Sequence, residues 1–367
     1  MLIRLLAVLV VITATLNAQT PPSAPDATFV RAVQLHQAGD LENAITQYQS
    51  FLAQHPDRTD ARSNLGAALA KLGRYQEAIE QYNRALLLDG HNPGIRFNLA
   101  VAYYKTARIV EAAKELEKIM AVQPDQPKIV LLLADCYLQM GEYQKVIALL
   151  EPREATAPQD KGLAYLLGTA LLRDKQVEKG QIQIEKIMRE GDSAEARMMI
   201  GTTHLLTGDY ANAMKEFAQA AKLNPNLPTV HAYYGRALMM TGNTDQAKEE
   251  YRQELTHNPN DFDANLQMGV ILKQDQNPAE ALTYFQRALL VRPGEPNARY
   301  FIETIRIGQG KINEAALELE KLVKEAPDFL EQLRIGATSF TGDPHQEDLW
   351  TGFLQCQDGR QFDQRVA

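Results

Sequence analysis

The chain has 367 residues, of which 45% are hydrophobic and 23% charged, a balance typical of an ordinary soluble protein. Its 38 basic and 46 acidic residues give a formal charge of −8, so the composition does not favour a nucleic-acid partner, which a basic patch would indicate. The length by itself would predict two or three globular domains, unless the chain is periodic and forms one elongated body.

The first 18 residues are typical of a secretory signal peptide. Residues 1–4 carry one positive charge, residues 5–16 are apolar apart from two threonines, and Ala18 suits the last position before cleavage. The apolar run is shorter than the roughly 20 residues that span a bilayer, and the alternatives are an uncleaved anchor or a buried N-terminal helix. We therefore expect an exported protein, periplasmic or secreted, with a flexible linker at residues 19–24.

Prolines recur along the chain with a constant spacing. They lie 34 residues apart, or a multiple of 34, except for one interval of 67, at Pro56, Pro124, Pro158, Pro225, Pro259, Pro293 and Pro327. Gly90 and Asp192 occupy the two missing places, so one period near Asp192 is a residue shorter. A period that stays in phase over this length is the signature of a repeat array. Residues 25–329 are therefore predicted to form about nine helix–turn–helix repeats.

Several other positions of the repeat are restricted in residue type. If the proline is position 32, then position 8 is Ala or Gly in every repeat except the ninth, which has Glu303, and position 20 is mostly Ala. Position 24 is large and apolar, and position 15 is often glycine, which suits a turn between two helices. Small residues at fixed points predict two helices that approach closely, and the proline after the second helix helps to end it.

This pattern resembles the tetratricopeptide repeat. The second repeat carries the family pattern at Leu65, Gly66, Leu69, Gly73, Tyr75, Ala78, Tyr82 and Ala85. The sixth carries it at Gly201, Gly208, Tyr210, Ala213, Phe217, Ala220 and Pro225. The resemblance implies an all-α fold, a right-handed α-solenoid (superhelix) whose first helices line an inner groove. It also implies binding of a protein or peptide, without catalysis.

One face of each first helix is not needed to hold its hairpin together. At about 100° per residue, positions 4, 7, 8 and 11 cluster on one side, and positions 2, 5, 9, 12 and 13 on the other. In repeats three to seven the second face is largely apolar, which is typical of an interaction surface. The predicted partner-binding groove comprises Phe97, Val101, Tyr104, Leu131, Leu138, Tyr165, Leu172, Met198, Leu205, Met239 and Met240. The alternative is that these residues pack between helices or against a neighbouring turn of the solenoid.

A known binding mode of the family is not expected here. Some members grip a terminal carboxylate with Lys, Asn and Arg side chains from three repeats. The matching positions are Ser63, Ala67, Asn98, Lys128 and Leu132, and only Asn98 and Lys128 have suitable side chains.

Three features depart from the repeat pattern. Pro152 falls inside a second helix and should shorten or kink it, so residues 152–193 are either a poorly matched repeat or a hinge. Glu303 would bury an unpaired carboxylate, and we expect Glu303→Gly to stabilise the chain. The period fades after Phe329, and residues 330–367 are predicted to hold a partial capping helix and an irregular tail.

The sequence carries no motif for catalysis or metal binding. No pair of its seven histidines has the H-E-x-x-H spacing, and the G-x-S-x-G, C-x-x-C and phosphate-loop patterns are absent. Cys136 and Cys356 are too few for a disulfide framework. We expect neither an enzyme nor a cofactor or metal. The function predicted is a scaffold or adaptor for envelope or secreted proteins, and the alternative is a carbohydrate-binding subunit of a polysaccharide export or synthesis system.

Overall fold

The computed structural model describes residues 27–189, 191–327 and 329, and all regular structure in these ranges is α-helical. The helices are α1 Ala27–Ala38, α2 Leu41–Gln54, α3 Thr59–Lys71, α4 Tyr75–Leu88, α5 Pro93–Lys105, α6 Ile109–Met120, α7 Pro127–Gln139, α8 Tyr143–Glu154, α9 Lys161–Arg173, α10 Val177–Met188, α11 Ala194–Leu206, α12 Tyr210–Leu223, α13 Val230–Met240, α14 Thr244–His257, α15 Phe262–Gln274, α16 Pro278–Val291, α17 Pro296–Gly308 and α18 Ile312–Glu325. They pair in chain order into nine hairpins, which confirms the predicted all-α repeat solenoid. The predicted signal peptide (1–18), linker (19–24), and capping helix and tail (330–367) lie outside the described residues.

Each hairpin turns at position 15 of its repeat, where the backbone is left-handed. Six repeats have glycine there, with φ between 77° and 82°, as the sequence predicted. Repeats three, five and eight hold Ala107, Lys175 and Gln276 in the same conformation, with φ between 58° and 64°. A side chain in this region costs about 1–2 kcal/mol that glycine avoids. The turn geometry is therefore constant even where the residue is unfavourable.

The close approach predicted at position 8 is made against the ring at position 24. A methyl group added to Gly201 would lie 2.6 Å from the ring of Phe217, and one added to Gly269 would lie 2.6 Å from the ring of Phe285. These distances are shorter than any van der Waals contact between carbon atoms, which is about 3.5 Å at its optimum. In these two repeats only glycine leaves room for the ring, whereas the first repeat combines Ala32 with Tyr48 and buries both.

Glu303 occupies position 8 of the ninth repeat and is 5% exposed. One of its carboxylate oxygens accepts a hydrogen bond of 2.9 Å from Arg306, and the other is buried without a partner. Burial raises the pKa of Glu303 above its ordinary value, although the charge of Arg306 opposes this shift. The expected buried, unpaired carboxylate is confirmed for one of the two oxygens.

Pro152 interrupts its helix less than expected. It lies in the last turn of α8, which continues two residues beyond it to Glu154. α8 has 12 residues, the same length as α6 and α10, neither of which contains a proline. Pro152 therefore does not account for the short second helices of the middle repeats.

The array curves until its eighth repeat meets its third and fourth. Helix α16 packs against α6, and Nε of Arg292 donates a hydrogen bond of 2.6 Å to the carbonyl oxygen of Gln139. The guanidinium of Arg292 also lies 3.8 Å from the centroid of the Phe262 ring. Residues of repeats one to four and seven to nine consequently share one hydrophobic cluster. This contact joins the repeats that precede residues 152–193 to the repeats that follow them. The hinge proposed for residues 152–193 stays a prediction.

Candidate binding groove

A groove with a volume of about 2250 Å³ runs along the inner side of the first five repeats. It is lined by residues of their first helices, α1, α3, α5, α7 and α9, and by two loops at residues 224–229 and 257–261. The loops reach the groove because the eighth repeat returns to the third and fourth. The volume exceeds the roughly 300–1,000 Å³ typical of small-molecule sites, so the groove suits a length of polymer.

An apolar stripe follows position 5 of successive first helices and continues at position 9. Its side chains are half-buried, so each keeps a surface turned to the groove. The stripe comprises Phe29, Val33, Phe97, Val101, Leu131 and Tyr165. The second repeat interrupts it, because Ser63 and Ala67 stand at the same positions. A ligand that covers the stripe removes its apolar surface from water, which contributes roughly 25 cal/mol per Å².

Six of the residues predicted from the sequence line this groove. They are Phe97, Val101, Tyr104, Leu131, Leu138 and Tyr165, all from repeats three to five. The helical register therefore predicted which face of these repeats lines the groove.

Leu172 and Met198 require a correction, because they are only 0% and 4% exposed. Leu172 fills the space beside Gly180, where an added methyl group would lie 2.6 Å from its side chain. Helix α9 packs directly against α7 and α11, so the part of it that carries Leu172 is used for contact between helices. The alternative interpretation, packing within the solenoid, therefore applies to these two residues.

The other predicted residues of repeats six and seven also lie outside the groove. Leu205 and Met239 are half-buried and pack against the hydrophobic clusters of the array. Met240 is 51% exposed but is not part of the groove lining. The groove is consequently more aromatic and less rich in methionine than the sequence predicted.

Sequence reasoning missed two contributions to the groove. Phe29, Val33 and His36 of the first repeat line it, and the same register positions would have identified them. The loops at 224–229 and 257–261 have no such signal, because only the return of the array brings them to the groove.

A polar group lies among the apolar side chains in the middle of the groove. The hydroxyl of Tyr104 donates to Asp135, and the amide of Gln139 donates to Tyr104 at 2.7 Å and to Asp135 at 2.9 Å. Burial raises the pKa of Asp135, although the hydrogen bonds that it accepts from Tyr104 and Gln139 oppose the shift. The carboxylate is thus supplied with donors by its own chain.

Arg173 closes the far end of the groove. It forms an ion pair of 3.5 Å with Asp263 of the eighth repeat, and its guanidinium lies 4.9 Å from the centroid of the Tyr233 ring. Burial would raise the pKa of Asp263, but the charges of Arg173, Arg292 and Arg236 outweigh it and lower that pKa. A charged contact therefore joins repeats five and eight beside the groove.

The loop at 224–229 is held by a buried carboxylate. Glu254, which is 2% exposed, accepts hydrogen bonds from the backbone N–H of Thr229 at 2.9 Å and of His231 at 3.2 Å. Burial raises the pKa of Glu254 to about 7, against the effect of these hydrogen bonds. Thr229 has φ of 66°, a conformation unusual for a β-branched residue. This carboxylate fixes the start of α13 and the loop before it.

The described part of the chain offers neither a metal site nor the carboxylate grip of some family members. No group of three or more His, Cys, Asp or Glu side chains there is arranged to hold a metal ion. The five positions matching the family's carboxylate grip, Ser63, Ala67, Asn98, Lys128 and Leu132, do line the groove. Three of them carry unsuitable side chains, so that mode finds no support. Among the described helices, none is long and apolar enough to cross a membrane.

Models of known protein families match most of the described residues. Models of the tetratricopeptide repeat match residues 29–94, 69–129 and 108–168. The model of the cytochrome c-type biogenesis protein H TPR domain matches residues 185–298. No curated protein matches the chain.

Proposed function

The chain is a tetratricopeptide-repeat protein, and from that premise we propose that it is a non-catalytic scaffold that binds an apolar or amphipathic segment of a partner protein. Repeats of this kind generally mediate interactions between proteins. The observation that carries the proposal is the apolar stripe, whose half-buried side chains from four repeats line one groove. Apolar side chains left accessible in a groove are typical of interaction sites on proteins.

We also propose that the protein works in the cell envelope or outside the cell. Residues 1–18 support this, because they have the charge and the apolar run of a secretory signal. The match to the TPR domain of a cytochrome c-type biogenesis protein supports a role in assembly. Fractionation of cells that express the chain with and without residues 1–18 tests the location. Recovery of both forms in the cytoplasm would contradict it.

The groove is tested with a double variant and a matched control. Phe97→Ala/Leu131→Ala removes two side chains of the stripe, whereas Leu87→Ala/Leu290→Ala removes two exposed side chains outside the groove, 86% and 55% exposed. Both variants should keep the helical circular dichroism of the parent chain. Partners captured from an envelope extract are identified by mass spectrometry and their affinities measured with the purified proteins. We expect at least a tenfold loss for the groove variant alone, and an undiminished affinity refutes the proposal.

The bound segment can be located with a photoreactive side chain. A photoreactive phenylalanine at position 101 faces the groove, whereas one at position 87 faces solvent. Cross-links should form from position 101 and map to one short segment of the partner. Cross-links from position 87 alone would place the partner on the outer surface and contradict the proposal.

A second candidate is the binding of carbohydrate as a subunit of a polysaccharide system. The groove favours it in one respect, because the rings of Phe97, Tyr104 and Tyr165 line the same groove as the polar side chains of Asp135 and Gln139. Sugars bind to aromatic faces flanked by hydrogen-bonding groups. Calorimetric titration with oligosaccharides separates the two candidates. Heat that disappears in Tyr165→Ala, with no binding of amphipathic peptides, would favour the polysaccharide system.

A further inference from the structure

One loop of the groove wall is held by buried side chains that can gain or lose a proton. Resting on the proposed function, we propose that pH regulates the groove: protons on His231 and Glu254 keep the loop at residues 224–229 in the wall, and the loop loosens as the pH rises. The loop lines the groove together with Glu254, which is only 2% exposed. The groove is therefore complete at mildly acidic pH and less well formed above neutral pH.

The ring of His231 meets an acceptor at each of its nitrogens. Nδ1 lies 2.7 Å from a carboxylate oxygen of Glu250, and Nε2 lies 3.2 Å from the carbonyl oxygen of Pro225 in the loop. A carbonyl and a carboxylate ion have no hydrogen to donate, so both contacts are hydrogen bonds only when the ring and Glu250 together hold an additional proton. The ring of His257 stacks on that of His231 with centroids 6.2 Å apart, but it is exposed and water screens its charge.

Removal of the additional proton breaks the bond to the loop. The neutral ring keeps one N–H, and the shorter contact with Glu250 retains it, because hydrogen bonds to charged groups are the stronger ones. Nε2 then turns a lone pair toward the carbonyl oxygen of Pro225, and the two acceptors repel each other. The side chain of His231 is only 7% exposed, so water does not readily replace the lost partner. The loop thus loses its bond to α13 at Pro225.

Glu254 holds the other end of the same loop. Its carboxyl group accepts hydrogen bonds of 2.9 Å from the backbone N–H of Thr229 and of 3.2 Å from that of His231. Burial raises the pKa of Glu254 from 4.5 to about 7, although these hydrogen bonds oppose the shift. Because the closed loop binds a proton that the open loop releases, the closed loop loses stability as the pH rises from about 4.5 to about 7. This effect has the same sign as the loss of the proton at His231.

Neighbouring carboxylates strengthen the dependence on pH. Asp263 of α15 and Asp261, which is 4% exposed, lie near Glu254, and the negative charges of these groups disfavour one another. The positive charge of Arg173 is directed to Asp263, with which it forms an ion pair of 3.5 Å. Glu254 is therefore left without a cation that would stabilise its charged form at this anchor.

The loop contains one residue that favours opening and one that limits it. Thr229 has φ of 66°, a strained conformation that persists only while the surrounding contacts hold it. Leu227, which is 5% exposed, packs in a hydrophobic cluster, and its burial does not depend on protons. We therefore expect a loosened loop rather than a fully detached one.

Neutral replacements with matched controls test the proposal. His231→Gln and Glu254→Gln remove the two groups that titrate, singly and together. The controls are His91→Gln and Glu249→Gln, which change exposed side chains outside the groove lining. Circular dichroism should show the same helix content in all of these proteins.

Hydrogen exchange read by mass spectrometry follows the loop without any ligand. Protection of residues 224–233, corrected for the intrinsic exchange rate at each pH, should fall about 3- to 10-fold between pH 5 and pH 8 in the full chain and in both controls. Residues 75–88 serve as the internal reference and should change little. The double variant should show no such fall. Constant protection in the unaltered chain overturns the proposal even if the double variant does not fold, and so does a fall that the folded double variant retains.

Binding is measured with a fluorescent amphipathic peptide built from Leu, Ser and Gln, whose side chains do not titrate. Its affinity for the full chain, read by fluorescence anisotropy, should fall about 3- to 10-fold from pH 5 to pH 8, because the complete groove is less populated. Equal affinity at every pH, lost in Phe97→Ala/Leu131→Ala, overturns the regulation and leaves the proposed groove function intact. No binding at any pH, with loop protection that falls as expected, overturns the groove function and supports the proton-held loop.

Discussion

Replacing Glu303 by Ala is expected to stabilise the ninth repeat by about 1–2 kcal/mol at pH 7. The buried oxygen without a partner is the source of this gain, since an unsatisfied buried polar group costs about 1–3 kcal/mol. The ion pair with Arg306, whose side chain is 36% exposed, is lost in this variant. Its loss reduces the gain in stability by about 0.2–1 kcal/mol. Alanine adds a few tenths of a kcal/mol as the better helix former.

Alanine should be a better replacement here than the glycine that the sequence pattern favours. Glycine makes room for the rings of Phe217 and Phe285, against which an added methyl group would clash, but the ninth repeat has Leu319 at position 24. The third repeat combines Ala100 with Leu116, and both side chains are fully buried. Glu303→Gly should still stabilise, but by about 1 kcal/mol less, because glycine weakens a helix interior.

The gain depends on pH in a direction that can be checked. Because burial raises the pKa of Glu303 in the folded state above its ordinary value of 4.5, the folded state binds more protons between these two pKa values. Stability is therefore lost as the pH rises through this interval. The advantage of Glu303→Ala should be smallest near pH 4 and should grow as the pH rises above 4.5.

Hydrogen exchange read by mass spectrometry, together with urea unfolding, measures the effect. Terminal repeats of a solenoid open locally, so slower exchange should appear first in residues 296–325. Glu314→Ala on the exposed face of α18 is the control and should change little. A folded Glu303→Ala protein with unchanged exchange and an unchanged urea midpoint at pH 7 would refute the reasoning.

Three further predictions follow from the backbone and from buried charges. Lys175→Gly should stabilise by about 1 kcal/mol in urea unfolding, because it relieves a left-handed residue with φ of 64°. Arg292→Ala should loosen the contact between repeats four and eight by about 1–3 kcal/mol, since it removes a charged hydrogen bond and a cation–π contact. Small-angle X-ray scattering should then show a larger radius of gyration. Burial raises the pKa of Glu254 to about 7 in the folded state, so stability should fall as the pH rises from about 4.5 to about 7. Glu254→Gln should flatten that part of the curve of urea midpoint against pH.

Each of these predictions has a control in the same element. Lys175→Ala removes the side chain but keeps the Cβ atom, so a gain equal to that of Lys175→Gly would contradict the backbone argument. Arg287→Ala, on the exposed face of α16, the helix that ends just before Arg292, should leave the radius of gyration unchanged. Glu249→Gln, exposed on the helix of Glu254, should leave the pH profile as it is, and parallel profiles for both variants would contradict the buried-carboxylate argument.

The sequence by itself determined the repeat, the hairpin and the inward face of the early repeats. These features depend on contacts between residues close in the chain, such as Gly201 under the ring of Phe217. A small residue at position 8 and a large apolar residue at position 24 recur in most repeats. The pattern can therefore be recognised from the sequence without coordinates. The same register placed Phe97 and Leu131 on the groove.

Only the tertiary structure decided which part of that face stays open. Each repeat is rotated by a small amount relative to the one before, and the sum of these rotations brings Arg292 to the end of α7. No single position of the repeat indicates the total rotation between distant repeats. The inner faces of repeats five and six therefore bury Leu172 and Met198 between helices, whereas the same register positions in repeats one and three remain accessible. Periodicity fixes neighbours along the chain, but curvature accumulated over many repeats fixes which distant surfaces meet.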